Sequence, residues 1–524
     1  MTKNHKTKRD GSAVCSKAAA PWVLAATILG SSVTFIDGTV VNVALPAFQQ
    51  DLNASVSGLQ WIVESYALML SALILVGGSL GDRWGRRKIF CLGNLVFAIA
   101  SLGCGLSQTI GQLIAARAVQ GIGAAMLVPG SLAIISASFS EKDRGRAIGT
   151  WSGYTAIAAG IGPVLGGWLI EKFSWHWIFF LNIPLCLAVI AIALWHVPES
   201  RDEENSGHID IPGAICATVG LGGIVFGLIE AGNRGFRDPW IIGSLVGGTA
   251  LLALFVIVEY RRRPGAMMPL ALFRSRTFSG ANLLTLFLYA ALSGMMFFLP
   301  FNLIQVQGYS PTGAAASLLP FVATMFVLSK WAGGLTQRYG SRLPLIIGPV
   351  ITSIGFAMFI GPGAHTSSYW TSFFPPIMVM SLGMAISVAP LSTTVMSAVE
   401  QRHAGIASGI SNAVSRTSGL LAVAILGVVM AGIYMQQFLT RVDAMDLPSE
   451  TRVSLENQSN RLAAVTVSET VPPETKQAIV EAADEAFFYG FRVVMGIAAA
   501  LGLLSALCAW ALIENKGEEK KETL

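Results

Sequence analysis

The sequence is short of charge. Of its 524 residues only 12% are Asp, Glu, Lys or Arg, where a soluble globular chain carries about 25%. That deficit excludes a soluble enzyme, a disordered protein and a nucleic-acid binder. Cysteine is scarce as well: Cys15, Cys91, Cys104, Cys186, Cys216 and Cys508 contain no C-x-x-C pair. Five of them sit inside apolar runs, where a thiol behaves as a small hydrophobe. The six histidines show no H-E-x-x-H spacing, so no metal centre is expected. There is no G-x-x-x-x-G-K-[ST] loop, which argues against ATP as the energy source. GGSLG at 77–81 fits the hydrolase pattern G-x-S-x-G, but it ends an apolar run with no strand before it. No catalytic residue is expected.

What is abundant is apolar length: 53% of the chain is hydrophobic. A bilayer core needs about 20 helical residues. Fourteen such runs are predicted, near 22–46, 59–79, 88–107, 112–136, 147–170, 176–197, 210–231, 239–260, 278–301, 313–334, 343–361, 370–394, 406–435 and 488–513. The first is too long for a secretory h-region and contains Asp37, so it is expected to be retained. Lys and Arg fix the expected orientation. With the N-terminus cytoplasmic, 24 of the 35 fall on inner segments, seven on outer ones and four (Arg117, Lys330, Arg416, Arg492) in or near spans. Both termini are then cytoplasmic. The one long connection, 436–485, is acidic, polar and external.

Residues 78–87 read GSLGDRWGRR and residues 333–342 read GGLTQRYGSR. Gly, Leu, Arg, Gly and Arg recur at matching places, each copy after an apolar run on the expected inner side. Repeated halves around a central site are a transporter device. Gln337 stands where the first copy has Asp82, so the two halves are not equivalent.

The repeat and four other segments resemble the major facilitator superfamily, and within it the fourteen-helix drug:proton antiporter branch. GGSLGDRWGRRK at 77–88 is similar to the loop between helices 2 and 3, and LIAARAVQGIGAA at 113–125 to the helix 4 motif around an embedded Arg. GPVLGG at 162–167 is similar to the antiporter signature of helix 5, with Ala158 where that signature has a further Gly. FIDGTVVNVALP at 35–46 matches the helix 1 motif, and WHWIFFLNIP at 175–184 resembles the entry to helix 6. Support in the second half is thinner, resting on 333–342 and GIASGISNAVSRTSG at 405–419. The resemblance implies an all-α membrane protein with the major facilitator fold. Six helices at 22–197 form one bundle and six at 278–513 the other. Two extra helices lie between them at 210–260, with tails at 1–21 and 514–524. It also implies alternating access and a helix 5 signature (Gly162, Pro163, Gly166, Gly167) that favours exchange over leak.

Depth along each span singles out a second group of residues. At 1.5 Å per residue, Asp37, Glu64 and Arg117 each lie about 8 Å below the outer boundary. Charged groups within spans are costly and face a cavity or one another. The expectation is that Asp37 and Glu64 carry protons and that Arg117 tunes both. In the loop, Gly78 and Gly85 permit close approach and a tight turn. Asp82 is placed to meet the positive end of a helix. The resemblance makes that helix the span beginning near Gly405, a latch with Arg83 and Arg86 in support. Asn42, Gln120, Asn412, Arg416, Met295 and Phe298 are candidate cavity-lining residues.

The leading expectation is a proton-driven exporter of amphipathic toxic compounds, cationic ones foremost, in a bacterial inner membrane. It needs no cofactor and acts as a monomer whose partners are the substrate, protons and the bilayer. An accessory periplasmic protein would dock on 436–485, although no motif requires one. The same machine serves equally for an endogenous metabolite, lipid or siderophore. A non-transporting receptor or scaffold is disfavoured, because it gains nothing from three costly groups at one depth.

Overall fold

A computed structural model of the chain describes residues 19–201, 210–261, 268–361, 363, 368–400, 404–445, 447–458, 462, 465, 467 and 471–514. Most of both tails and Cys15 lie outside the described residues. Among the described residues, fourteen helical segments match the fourteen predicted spans. They are α1 (Ala20–Asp51), α2 (Val56–Trp84), α3 (Arg86–Gly105), α4 (Ile110–Ser138), α5 (Glu141–Lys172), α6 (His176–His196) and α7 (Ile211–Arg234). Then follow α8 (Pro239–Arg261), α9 (Arg276–Phe301), α10 (Pro311–Ala316 with Leu319–Gly333), α11 (Arg342–Met358), α12 (Phe374–Ser397), α13 (Ala404–Asp443) and α14 (Pro473–Leu512). Thirteen are long and apolar enough to cross a membrane, and α11 is a shorter apolar helix of 17 residues. Lipid leaves no solvent partner for a bare backbone group, so each apolar run closes its hydrogen bonds internally. Some helix starts carry a side-chain cap. Ser55 accepts from Gly58, and Thr109 forms a reciprocal capping box with Gln112.

The repeat seen in one decapeptide extends to the whole packing scheme. In the first half α1 packs on α5 and α6, α2 on α4, and α3 on α4 and α6. In the second half α9 packs on α13 and α14, α10 on α12, and α11 on α12 and α14. Gly85 and Gly340, equivalent in the repeat, both take a positive φ, 112° and 76°. Only glycine adopts this turn without strain.

Hydrophobic packing shows where the halves meet. Toward the end marked by Trp175, one continuous core takes in Val40, Ala44 and Phe48 of α1 with Met295 and Phe298 of α9 and Met430 of α13. Toward the Gly85 end each half has its own core, one around Phe90, Ile134 and Val197, the other around Phe278, Leu345 and Val395. The halves therefore share one core at the Trp175 end, while at the Gly85 end each keeps a core of its own, with Ala413 of α13 packed against that of the first half. Across the closed seam Gln305 donates to Gln49 at 2.8 Å, and Gln60 of α2 donates to the Val423 carbonyl of α13 at 2.8 Å.

The inserted pair does not stand apart from this seam. Leu221, Val225 and Ile229 of α7 share a cluster with Leu68 of α2 and with Leu420 and Ala424 of α13, so α7 covers the line where the halves touch. Its polar ties run to the first half: Trp61 donates to Glu230 at 3.2 Å, and Asn233 donates to Ser57 at 2.8 Å.

Several boundaries differ from expectation. Helix α6 is interrupted at Leu181. Helices α13 and α14 each have 40 residues, about 60 Å at 1.5 Å per residue. Both project beyond the Trp175 end. The predicted connection 436–485 is thus largely helical, including Ser449–Asn457. Its polar residues hide an apolar stripe: Ile479, Ala483 and Phe487 pack with Tyr434, Phe438 and Val442. That four-residue spacing marks one face of an amphipathic helix.

Candidate functional site

Five helices of the first half place polar side chains on one point. Asp37 of α1 is paired directly with Arg117 of α4, at 0% and 1% side-chain exposure. The other carboxylate oxygen accepts from Gln120 at 2.9 Å and from Asn182 at 3.1 Å. Arg117 also donates to the Gln120 amide oxygen at 2.6 Å and, through Nε, to the Ile62 carbonyl at 3.2 Å. Its guanidinium lies 4.2 Å above the Tyr66 ring, within the range of a cation–π contact. Ser101 accepts from Gln120 at 2.8 Å and from Asn182 at 3.4 Å. A buried ion pair holds only when its remaining donors and acceptors are also met, and here four neighbours meet them.

The structure brings together Asp37, Arg117 and Gln120. It leaves Glu64 outside this network, correcting the expectation that one guanidinium serves both carboxylates. The reason is helical phase. Ile62 and Tyr66 face Arg117, whereas Glu64 stands two residues from each, about 200° around the helix. Glu64 shares its face with Gln60 and Leu68, the face that meets α13 and α7. It is buried at 1% exposure, and its Oε2 has no hydrogen-bond partner among the described residues.

The cavity candidates also divide. Gln120 is a fully buried member of the network. Met295 and Phe298 are 0% exposed in the shared core, which corrects their assignment to a chamber wall. On α9 that stretch is packed between halves that are closed at this level, and Phe298 meets Phe297 edge-on at 4.9 Å. Asn42 is half-buried, Asn412 exposed and Arg416 half-buried.

The helix 5 glycines serve two different contacts. A Cβ on Gly166 would lie 1.7 Å from the Val40 side chain, and one on Gly162 would lie 2.8 Å from Thr39, so both let α5 close on α1. A Cβ on Gly167 would meet the Pro311 carbonyl at 2.6 Å, across the seam on α10. Gly160 faces Val322 of α10 in the same way. Pro163 has no N–H to offer the carbonyl four residues back, and the Thr39 hydroxyl donates to that Ala159 oxygen at 3.4 Å.

In the loop at the Gly85 end, Asp82 pairs with Arg86 at 2.8 Å and is 40% exposed. Among the described residues its ion-pair partner is on its own loop, while Gly405 is on α13. Gly78 packs on Pro129, and Arg83 is exposed. Arg87, which the sequence marks only as one more inner positive charge, donates to the Val197 carbonyl at 3.0 Å, and its backbone N–H donates to Glu199 at 3.1 Å. These bonds tie the α2–α3 turn to the end of α6.

Sequence reasoning did not assign roles to Asn182, Ser101, Tyr66 or Gln60. Asn182 was the one with a signal, a lone amide in the apolar run WHWIFFLNIP. Asn182→Ala is expected to lower stability by about 1–3 kcal/mol, because it removes a donor from a buried carboxylate. Thermal unfolding of the purified protein checks this.

Two repeated six-helix sets that share a core at one end, the first of them holding a buried charge network, define a secondary-transporter fold. The chain belongs to the Major Facilitator Superfamily, whose sequence profile matches residues 27–423. It is 33% identical over 497 residues to the multidrug resistance protein Stp of Mycobacterium tuberculosis, covering 93% of this chain and 91% of that one. It is 30% identical to the tetracenomycin C resistance and export protein of Streptomyces glaucescens, covering 95% and 92%. Among solved structures it shares the fold of a bacterial homologue of the human lysosomal transporter Spinster, with TM-score 0.64, 18% identity and coverage of 94% and 98%.

Proposed function

We propose that this protein exports amphipathic drugs or toxic metabolites from a bacterial cell in exchange for protons, by alternating access. The observation that carries the reading is the buried Asp37–Arg117 pair beside the seam. Protonation of Asp37 removes half of that pair and frees Arg117 to change partners. The similarity to antibiotic-resistance proteins supports export as the direction. The Gly85 end then faces the cytoplasm, where Lys and Arg are concentrated, and the cell membrane is the inner one. In this reading Asp82 reaches the start of α13 when the inner ends close. Nothing in the reading requires a second copy or a periplasmic protein. The energy suffices: one charge crossing 100 mV releases about 2.3 kcal/mol, and a tenfold gradient of cargo needs about 1.4 kcal/mol.

Flux of a panel of dyes and antibiotics into everted vesicles, with and without a pH gradient, tests this directly. Gradient-independent or absent flux across the whole panel removes the proposal. Glu64 supplies a sharper test, since it loses no described hydrogen bond at Oε2 when neutralised. Glu64→Gln is expected to keep normal protein levels and melting behaviour while lowering gradient-driven flux at least tenfold. Undiminished flux takes Glu64 out of the proton path.

A further inference from the structure

Where α9 ends, its backbone widens into a single turn over Asn302–Val306. The Gln307 N–H donates to the Asn302 carbonyl five residues back, at 2.9 Å. Such turns are rare and recur at functional sites. This one lies against the first half. Gln305 makes its bond to Gln49 across the seam, and Ile304 shares the wall of a cleft with Val43, Ala47 and Trp175. That cleft has about 280 Å³ open to water-sized groups. Asn302 stands one turn beyond Phe298 and two beyond Met295, on the face that those residues bury in the shared core. It is 0% exposed, and neither its amide nitrogen nor its amide oxygen has a hydrogen-bond partner among the described residues. Gln305 Oε1 and Gln307 Nε2 are buried without a partner in the same way.

Four unpaired polar atoms within residues 302–307 oppose the apolar packing around them. A buried donor or acceptor without a partner costs the full loss of its hydration. That cost disappears when the halves part at this level and water reaches the turn from the cleft. We infer that Asn302 and its turn hold the shared seam at the Trp175 end under a polar penalty, so that this end opens readily to release cargo. Met295 and Phe298 hold the seam shut, Asn302 loosens it, and the balance keeps both states accessible. A seam that was apolar throughout would be more stable and slower to part. The inference rests on the alternating-access reading, in which this end opens to the outside.

Substitutions of opposite sign at one position test it, in the purified full chain in lipid nanodiscs. Each is combined with Gln49→Cys, whose reaction with a water-soluble maleimide reads opening of the seam. Asn302→Leu places two methyl groups where the amide atoms were and removes both unpaired atoms. It is expected to raise the melting temperature and to slow labelling about tenfold. Asn302→Asp adds a charge that water satisfies best, so it should lower the melting temperature and speed labelling. Gln307→Leu, at a half-buried position, removes one unpaired atom and should act as Asn302→Leu does, by less. Gradient-driven vesicle flux should fall in Asn302→Leu despite the gain in stability. A residue that merely packs behaves otherwise: both Asn302 variants melt earlier and neither slows labelling, which overturns the inference. So does unchanged labelling in both leucine variants. Labelling and melting are read without transport, so the two readings fail separately. Opposite labelling shifts in a protein with no gradient-driven flux defeat proton-coupled export and leave the role of the turn standing. Normal flux in Asn302→Leu with unchanged labelling does the reverse.

Discussion

Asp37→Asn is expected to abolish gradient-driven export and to lower stability by about 3–5 kcal/mol, the cost of leaving a buried charge without its partner. Arg117, Gln120 and Asn182 all direct donors at this one side chain. A carboxylate accepts at both oxygens, but an amide offers one oxygen and turns an NH2 toward a donor. The structural loss and the loss of coupling can be separated. Adding Arg117→Met to Asp37→Asn removes the stranded charge, so melting temperature should recover in part while export stays absent. Vesicle flux and thermal unfolding of the parent and the two variants read the two effects. Full flux in Asp37→Asn would show that the pair only holds α1 to α4.

Gly167→Val should cost at least tenfold in flux through a different step. Any Cβ at this position meets backbone, the Pro311 carbonyl at 2.6 Å and the Thr312 Cα at 2.9 Å, and backbone cannot rotate away as a side chain would. The contact lies between the halves, so each bundle is expected to fold and the protein to accumulate normally. What fails is closure at the Trp175 end. A cysteine introduced at Gln49, 3% exposed in the closed seam, should react faster with a membrane-impermeant thiol reagent in the Gly167→Val background than in its absence. Gly145→Ala and Gly149→Ala serve as controls, because a Cβ at either meets nothing within 4 Å. Unchanged labelling and flux in Gly167→Val would mean that α5 and α10 do not form the closing contact.

Much of the fold was legible in the chain because lipid imposes a simple rule: every spanning segment must be apolar for a full helix length and satisfy its own backbone. The fourteen runs follow from that rule, the glycines at Gly85 and Gly340 were legible as a match between two segments, and the inserted pair was legible through the family resemblance. The Asp37–Arg117 partnership was legible for a related reason, since two opposite charges placed at one depth in hydrocarbon have few alternatives. The true start of α14 at Pro473 was not, because its first turns are amphipathic and read as a polar connection.

Other features depend on how helices rotate and which faces they meet. Depth put Glu64 beside Arg117, but helical phase turned it toward α13. Composition made Met295 and Phe298 look like a soft binding surface, whereas closure of the two halves buried them in a shared core. Asp37 and Asn182 are 145 positions apart, and no spacing along the chain connects them. The sequence by itself determined the number of helices, their repeat and the chemistry carried at each depth, because those depend on local length and polarity. Only the tertiary structure decided which charges meet and at which end the halves share a core, because those depend on the contact of whole bundles.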